Sequence, residues 1–417
     1  MKQRVPLLKQ KSVKLKRYLN FAKRIVQYLS EILKILDGAL KANASMATNY
    51  AGLLADKLEQ DGEKNQARLI RERLARAPMA IASAQGVGHG ISFGQLPMDN
   101  DSRLNTVDIS HPSLESTEIL LPDAIHARLL EFIQCVEHYD ALQRAGASLA
   151  NRVLIYGPPG TGKTQTSRWI AARLSVPLLT VRCDTLVSSL LGQTSRNLRR
   201  VFDFAQQNPC VLFLDEFDAL ASARGNERDI GELQRVVIAL LQNMDALPDS
   251  TVLVAATNHE QLLDPAIGRR FAFHIPMPMP DHSLREALWR KLLGDFAPED
   301  LDWNELASLS ADATGAMIEH VSLDVKRTAV LSGKQRAETI TLLRRLGLAL
   351  ALGRGERLTT TEQEIRWLRN WALEHFTLRA LASLYDLSTR RVTSIINEST
   401  TGTNDGKKES TKRKKTV

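Results

Sequence analysis

A glycine-rich turn at residues 157–164 carries the residue types best suited to chemistry in this sequence. Its residues are Gly157, Pro158, Pro159, Gly160, Thr161, Gly162, Lys163 and Thr164. The spacing G-x-x-x-x-G-K-[ST] is that of a phosphate-binding loop, because glycines let backbone N–H groups converge on phosphate oxygens where a Cβ would block the approach. Lys163 supplies a positive charge for the β- and γ-phosphates, and Thr164 supplies a hydroxyl ligand for Mg²⁺. The turn therefore predicts binding of a nucleoside triphosphate with Mg²⁺.

Two adjacent carboxylates follow an apolar run that begins at Cys210. The run CVLFLD has the composition of a buried strand and ends in Asp215, with Glu216 next. A carboxylate at the carboxyl end of a strand beside a phosphate loop holds Mg²⁺ directly or through water, which is the role predicted for Asp215. Glu216 is then placed to polarise the attacking water as a general base. The alternative is an acidic strand end that caps the next helix.

Further polar residues follow later apolar runs. The run TVLVAATN closes on Asn258, whose neutral amide can orient the attacking water and sense the γ-phosphate. Arg269 and Arg270 lie in LLDPAIGRRF, and nothing in the sequence brings them back to the phosphates of their own chain. In other NTPases a neighbouring subunit supplies such an arginine, and a head-to-tail contact that closes forms a ring. The alternative is a pair of surface arginines.

The elements that must position these residues alternate between strands and helices. A helix is predicted after the phosphate loop, from Gln165 to Leu174, and others around 197–206 and 233–244. The intervening runs rich in Val, Ile and Leu are RVLIY, PLLTVRC, CVLFLD, TVLVAATN and AFHIPM. Short apolar strands separated by helices predict an α/β fold with a parallel sheet covered by helices on both faces.

The runs GPPGTGKT, LFLDEFDAL, AATN and LLDPAIGRRF, in this order and spacing, resemble those of the AAA+ ATPases, specifically the classical AAA clade of protein-remodelling enzymes. The resemblance covers about residues 118–352. It implies a P-loop NTPase core at 118–280, a small helical lid at 281–352, ATP with Mg²⁺, a protein partner or substrate, and assembly as a ring, usually a hexamer.

The same resemblance implies roles for individual residues. It places Lys163, Thr164 and Asp215 at the phosphates and Mg²⁺, Glu216 at catalysis, Asn258 at sensing, Arg269 and Arg270 at the neighbour's nucleotide, and Gly315 and Ala316 in a small-residue turn of the lid near the nucleotide.

One segment departs from the family pattern. Residues 188–199 are similar to a central-pore loop whose usual core is aromatic, apolar, glycine, and here Leu190, Leu191 and Gly192 occupy those places. Leucine offers less rigid surface than an aromatic ring for gripping a peptide. The departure argues against substrate threading but does not touch ATP hydrolysis.

The N-terminal part, residues 1–77, is predicted to be helical and basic. Apolar residues recur at spacings of three and four between Tyr18 and Leu36, and two more helices are predicted at Ala44–Gln60 and Glu63–Arg76. A docking module for a partner and a small helical bundle with a solvated face fit this pattern equally well. Residues 78–117, rich in Gly, Asn and Asp, are predicted to be a flexible linker.

The C-terminal segment, residues 359–398, is predicted to be a separate helix-turn-helix-like domain. TLRALASLYDLSTRRVTSII places small and apolar residues around a tight turn at Asp386. The second helix would present side chains suited to phosphates and base edges, namely Thr389, Arg390, Arg391 and Thr393. Residues 399–417 are predicted to be a basic disordered tail. A three-helix protein-interaction bundle is the alternative to DNA contact.

The distribution of charge and the spacing of cysteines limit the kinds of partner and metal site that the protein can have. The net charge of +8 arises at the ends, with +9 in residues 1–34 and +4 in residues 400–417, which favours anionic partners there. Cys135, Cys183 and Cys210 are too widely spaced for a zinc site or a disulfide framework. No apolar run is long enough to span a membrane, so we expect a cytoplasmic protein.

Two functions fit these observations. The first is a ring-forming ATPase that remodels a protein partner, and the second is a DNA-associated ATPase recruited by its C-terminal segment. Glu216 and the two arginines argue against a scaffold that binds ATP without hydrolysing it.

Overall fold

The computed structural model describes residues 28–40, 44–75, 107–183, 191–220 and 230–401. The described residues form two compact units. The first lies within residues 1–158 and 162–277, and the second comprises residues 159–161 and 278–401.

A six-stranded sheet forms the centre of the first unit. Its strands are β1 Val107–Ser110, β2 Arg152–Tyr156, β3 Leu178–Arg182, β4 Val211–Asp215, β5 Val252–Thr257 and β6 Phe273–Pro276. Their order across the sheet is β1-β3-β4-β5-β2-β6, and every neighbouring pair is parallel except β1 with β3. The predicted α/β fold with a mostly parallel sheet is confirmed.

Helices precede and connect these strands. In chain order they are α1 Leu29–Leu40, α2 Ala44–Gln60, α3 Lys64–Ala75, α4 Asp123–Glu137, α5 Tyr139–Arg144, α6 Lys163–Arg173, α7 Leu191–Gln207, α8 Ile230–Ala246 and α9 Pro265–Gly268. Short 3₁₀ turns lie at Leu114–Ser116, Phe217–Leu220 and Glu260–Leu262.

Helices cover both faces of the sheet because successive strand residues point to opposite sides. In β2, Val153 and Ile155 pack in one buried cluster with Ile170 of α6, whereas Leu154 packs in another with Leu198 of α7. Burial on both faces explains why these strands read as continuous apolar runs.

Strand β1 corrects the prediction of a flexible linker over residues 78–117. Val107 pairs with Val181 and Ser110 with Leu178, so that β1 extends the sheet as an antiparallel edge. Residues 107–110 thus belong to the central sheet of the first unit. A strand of four residues that includes Asp108 lacks the apolar run that identified the other strands.

The N-terminal helices pack on the first unit at the edge where its strands begin. The Asn49 side chain of α2 donates a buried 2.7 Å hydrogen bond to the side chain of Asn208, which lies just before β4. The Ser30 N–H donates to Asp140 of α5 over 2.6 Å. The predicted helical character is confirmed for the described N-terminal residues, while Tyr18, Phe21 and Ile25 lie outside the part that the structure describes.

The second unit is all helical and has one core. Its helices are α10 His282–Leu293, α11 Trp303–Leu309, α12 Gly315–Leu331, α13 Thr339–Gly353, α14 Thr361–Trp371, α15 Leu378–Leu384 and α16 Thr389–Thr401. A single buried cluster runs from Trp289 in α10 through Leu346 in α13 to Val392 and Ile395 in α16. The helices of residues 359–398, predicted to form a separate domain, thus share one buried core with α10, α12 and α13.

No helix in the described residues is long and apolar enough to cross a membrane.

Candidate nucleotide site

The polar residues predicted to bind nucleotide lie at the carboxyl ends of three adjacent strands. The glycine loop begins at Gly157 after β2, Asp215 ends β4, and Thr257 ends β5. Since β4, β5 and β2 are parallel neighbours, these ends meet at one edge of the sheet. This edge is where ligands bind in open α/β sheets.

The glycines of the loop are required by its backbone. Gly157, Gly160 and Gly162 have φ values of +145°, +77° and +95°, which L side chains rarely adopt. A Cβ on Gly157 would lie 2.1 Å from the carbonyl oxygen of Met277. The loop therefore presents bare backbone where a phosphate group must approach closely.

Lys163 is the first residue of α6 and points its ammonium group back along the loop. Its Nζ donates hydrogen bonds of 2.8 Å to the carbonyls of Gly157 and Pro158. The residue is buried, with 9% of its surface exposed, and this burial lowers the pKa of the ammonium group, while Asp215 and Asp218 raise it. A buried cation without a carboxylate in direct contact is suited to an incoming phosphate.

Thr164 and Asp215 form the pair suited to Mg²⁺. The Thr164 hydroxyl lies 3.2 Å from the Asp215 carboxylate and donates to it. A hydroxyl and a carboxylate oxygen are the hard ligands that Mg²⁺ takes beside phosphate oxygens. The residues present thus fit the metal that the loop motif implies.

Glu216 follows Asp215 in a conformation unusual for a residue with a side chain. Its φ is +52°, and its N–H donates to Asp215 Oδ1 over 3.0 Å. Such conformations cost about 1–3 kcal/mol and cluster at functional sites. The turn separates the two carboxylates. Asp215 accepts from Thr164, whereas the exposed Glu216 side chain forms no hydrogen bond or ion pair with a described residue.

Asp218 is a site residue to which the sequence analysis gave no role. Its Oδ1 accepts a 3.0 Å hydrogen bond from the Thr257 hydroxyl and a 3.3 Å bond from the Asn258 N–H. Asp218 thereby joins the turn after β4 to the end of β5 and fixes the backbone that carries Asn258. The acidic residues at 215–218 are evident in the sequence. The hydrogen bonds of Asp218 are not, because their donors lie at the end of the neighbouring strand β5.

Arg269 and Arg270 lie near the amino-terminal end of β6, whereas the phosphate loop follows the carboxyl-terminal end of the neighbouring strand β2. They immediately precede β6, whose Phe273 is in register with Val153 near the start of β2. The length of β2, at about 3.3 Å per residue, therefore separates these arginines from the start of the loop. Arg270 pairs with Asp245 at 2.7 Å, whereas Arg269 is exposed.

The remaining predicted nucleotide residues belong to the second unit. Residues Pro159–Thr161, at the tip of the loop, group with that unit. There the Ala316 N–H donates a 3.0 Å hydrogen bond to the Gly160 carbonyl. Gly315 starts α12 behind the N-cap Thr314, whose hydroxyl accepts from the Met317 N–H. The structure thus brings Gly315 and Ala316 to the loop tip.

The segment predicted as a pore loop is described only in part. Leu190 lies outside the described residues, and Leu191 and Gly192 are described only as the backbone at the start of α7. Its role stays a prediction.

The predicted DNA-contact residues lie on α16. Thr389 and Arg390 are exposed, whereas Arg391 pairs with Glu362 and Glu398, each at 3.7 Å. The Thr393 hydroxyl donates to the Thr389 carbonyl. Asp386 has the left-handed conformation expected at the turn, with a φ of +52°.

Comparison with known proteins agrees with the nucleotide site. Residues 153–279 match the model of the ATPase family associated with various cellular activities (AAA). These residues are therefore similar to an AAA ATPase domain. The match begins at the second residue of β2 and runs past the end of β6. It includes the whole phosphate loop, residues 157–164, as well as Asp215, Glu216 and Asn258.

Several curated proteins are similar to this chain over about half of its length or more. An AAA family ATPase of Sinorhizobium fredii is 36% identical over 219 residues, which are 52% of this chain and 64% of that protein. The proteasome-activating nucleotidase of Methanopyrus kandleri is 30% identical over 249 residues, which are 56% of each chain. The ATP-dependent zinc metalloprotease FtsH of Mycobacterium leprae is 33% identical over 264 residues, or 61% of this chain and 32% of the relative.

The chain covers less than two thirds of the length of each of these relatives. The comparisons support an ATP-hydrolysing enzyme. The described residues contain no group of three or more His, Cys, Asp or Glu side chains that could hold a metal ion, and the zinc protease activity in one relative's name stays with that relative.

Proposed function

We propose that this chain is a Mg²⁺-dependent ATPase that uses hydrolysis to remodel a macromolecular partner, in the first place a protein. The observation that carries the proposal is the arrangement of Lys163, Thr164, Asp215 and Glu216 at the ends of neighbouring strands. A buried ammonium group, a hydroxyl–carboxylate pair at 3.2 Å and an exposed second carboxylate are the parts that phosphoryl transfer requires.

The side chains have distinct tasks in this proposal. Lys163 exchanges its two loop carbonyls for phosphate oxygens and thereby offsets their negative charge. Glu216, held away from Asp215, accepts a proton from the attacking water. Asn258, whose backbone Asp218 fixes, orients that water. Bound Mg²⁺ would be held by Thr164 and Asp215 and would neutralise charge on the β- and γ-phosphates.

Assembly as a ring, in the first place a hexamer, completes the site. Arg269 and Arg270 lie near the start of β6, away from their own loop, which supports an arginine acting on the nucleotide of another subunit. A head-to-tail contact of this kind closes into a ring. A protein partner is supported by the relatives, since one is named a proteasome-activating nucleotidase and another an ATP-dependent metalloprotease. A cytoplasmic location is part of the same proposal.

A second candidate function is association with duplex DNA through α16. Two features favour it: the left-handed turn at Asp386 between α15 and α16, and the exposed Arg390 at the start of α16. The sequence then continues into residues 402–417 with six Lys or Arg and two acids. Helix, turn and basic extension together suit phosphate contact.

Phosphate release from ATP tests the primary proposal. The full-length protein should hydrolyse ATP with Mg²⁺, and Glu216→Gln should slow hydrolysis by about 10²-fold or more while ATP binding persists. Asp295→Asn, which removes a carboxylate from the second unit far from these strand ends in sequence, serves as a matched control. A Glu216→Gln rate equal to that of the wild type would refute the assignment of the base. Proteins that co-purify with the Glu216→Gln variant would identify the partner.

A further inference from the structure

The phosphate-loop tip and the outward face of α16 belong to the same compact unit. Pro159–Thr161 group with residues 278–401, and the Gly160 carbonyl accepts the 3.0 Å hydrogen bond from Ala316 at the start of α12. A Cβ on Gly160 would lie 2.7 Å from the Thr314 hydroxyl. The loop tip is therefore closely fitted to the N-terminal turn of α12.

Helix α12 packs on α13 beside that turn. The Met317 side chain lies so close to Gly353 that a Cβ there would be 3.0 Å from its terminal methyl group. Farther along, Arg345 of α13 pairs with Asp324 of α12 at 3.0 Å. The two helices share buried aliphatic side chains in the core of the second unit, so α13 cannot shift without repacking α12.

Helix α13 in turn holds α14 through Gly347. A Cβ on Gly347 would lie 2.7 Å from Leu368 and 2.8 Å from the Trp371 ring, so the glycine permits close approach of the two helices. The Trp367 Nε1–H donates a 2.8 Å hydrogen bond to the Gly347 carbonyl. This half-buried hydrogen bond and the close contact at Gly347 fix the position of α14 on α13.

Helix α14 is fixed to α16 at the other end of this path. The Arg366 Nε–H donates a 2.7 Å hydrogen bond to the Ile395 carbonyl, and Val392 and Ile395 are fully buried in the same core as α13. The opposite face of α16 carries the exposed Arg390. Packed contacts thus run from the loop tip through α12, α13 and α14 to the surface suited to DNA.

We propose that duplex DNA bound on the outward face of α16 is coupled to nucleotide bound at the loop tip, with the Gly347 contact between α13 and α14 as the link. The inference rests on the ATPase and DNA associations proposed above. Thermodynamic coupling between two binding sites is reciprocal. If ATP changes the affinity for DNA by a given factor, DNA changes the affinity for ATP by the same factor. In this proposal the C-terminal helices transmit the nucleotide state to the DNA-binding surface and do not act as an independent DNA-binding domain.

Fluorescence anisotropy of a labelled duplex tests the coupling. Affinity is measured with full-length Glu216→Gln protein at low salt, with and without ATP and Mg²⁺, while a fluorescent ATP analogue reports nucleotide binding separately. We expect ATP to change the dissociation constant of the duplex by about 5-fold or more. Arg390→Ala should weaken duplex binding, whereas Arg357→Ala, which removes the same charge from an exposed site outside α16, should not.

Variants at Gly347 and Trp367 test whether the coupling runs through the contact between α13 and α14. Gly347→Ala, made in the same background, should bring the ATP-dependent ratio of duplex dissociation constants close to 1 while the duplex still binds. Gly52→Ala in α2, where a Cβ meets nothing within 4 Å, should keep the ratio of the parent. If Gly347→Ala does not fold, Trp367→Phe removes the hydrogen bond to the Gly347 carbonyl together with part of the ring that lies beside Arg354, and it should reduce the ratio.

The possible results distinguish a failure of the coupling between duplex DNA and ATP from a failure of the proposed ATPase function. Unchanged duplex affinity in the presence of bound ATP overturns the coupling, and so does a ratio in Gly347→Ala and Trp367→Phe equal to that of the parent. Absence of duplex binding also overturns it, and if the ATP analogue still binds, this result favours a protein partner on α16. Failure to bind the ATP analogue would instead contradict the proposed ATPase function.

Discussion

Arg270 and Asp245 form a two-point ion pair at the edge of the sheet where β6 begins. The Nε and Nη2 groups of Arg270 donate to the two carboxylate oxygens over 2.7 and 2.8 Å, and Nη1 donates to the Ala266 carbonyl over 2.6 Å. The hydrogen bond from Arg270 holds the pKa of Asp245 below its usual value. Arg270 is thus committed within its own subunit, whereas the adjacent Arg269 is exposed and forms no ion pair with a described residue.

This difference predicts unequal roles for the two arginines. Arg269→Ala should lower kcat by about 10³-fold, because it removes the group that we propose to reach the neighbour's nucleotide. Asp245→Asn should have a much smaller effect, because Arg270 retains its bond to Ala266 and still supports the turn. Steady-state phosphate release, with ATP binding and oligomeric state checked for each variant, measures both. An Arg269→Ala enzyme as active as the wild type would exclude Arg269 from the reaction.

A second prediction concerns the close approach at Gly157. Gly157→Ala should abolish detectable ATP binding, because its Cβ would collide with the Met277 carbonyl at 2.1 Å and displace the loop from β6. Gly146→Ala is the matched control, since Gly146 also has a positive φ but a Cβ there meets nothing within 4 Å. The control should show only the cost of its backbone conformation, about 1–3 kcal/mol. Thermal unfolding with and without ATP compares the two, and equal losses of ATP binding would contradict the role given to Gly157.

A third prediction follows from Tyr385 in the turn between α15 and α16. Its hydroxyl donates to Glu364 over 2.8 Å, and burial raises its pKa from 10.0 to about 12. A folded-state pKa above the unfolded value means that the neutral phenol is favoured by folding. Its contribution to stability is fully present below pH 10 and is lost as the pH rises through about 12.

The variant Tyr385→Phe isolates this contribution. The wild type should lose thermal stability between pH 10 and pH 12 more steeply than Tyr385→Phe, because only the wild type has this phenol to ionise. Melting temperatures of both proteins across that range give the comparison. Parallel curves would show that the Tyr385 hydroxyl has no favoured protonation state in the fold.

The sequence predicted the central sheet well because β2, β4 and β5 are buried on both faces and therefore appear as apolar runs. Lys163, Thr164 and Asp215 could be placed together because strand ends and loop spacing determine where they lie. Strand β1 escaped prediction because four residues containing Asp108 become a strand only by pairing with β3.

Contacts between distant residues account for what the sequence analysis missed. Asp218 acts on Thr257 across the sheet, and Asp245 acts on Arg270, with nothing in either local sequence to indicate the partner. The apparent independence of residues 359–398 had the same origin, since a helix-turn-helix pattern is local, whereas the contact of Gly347 with Leu368 and Trp371 is set by tertiary packing.

ATP hydrolysis by mixed rings of two inactive variants tests most directly whether each active site is shared between two subunits. Lys163→Ala subunits lack a working loop but keep Arg269, and Arg269→Ala subunits keep the loop but cannot complete a neighbour's site. If sites are shared between subunits, random 1:1 assembly should restore about a quarter of the wild-type rate, because one contact in four pairs an intact loop with an intact arginine. Mixed rings, verified by native mass spectrometry, that hydrolyse no more ATP than the separate variants would contradict the shared site.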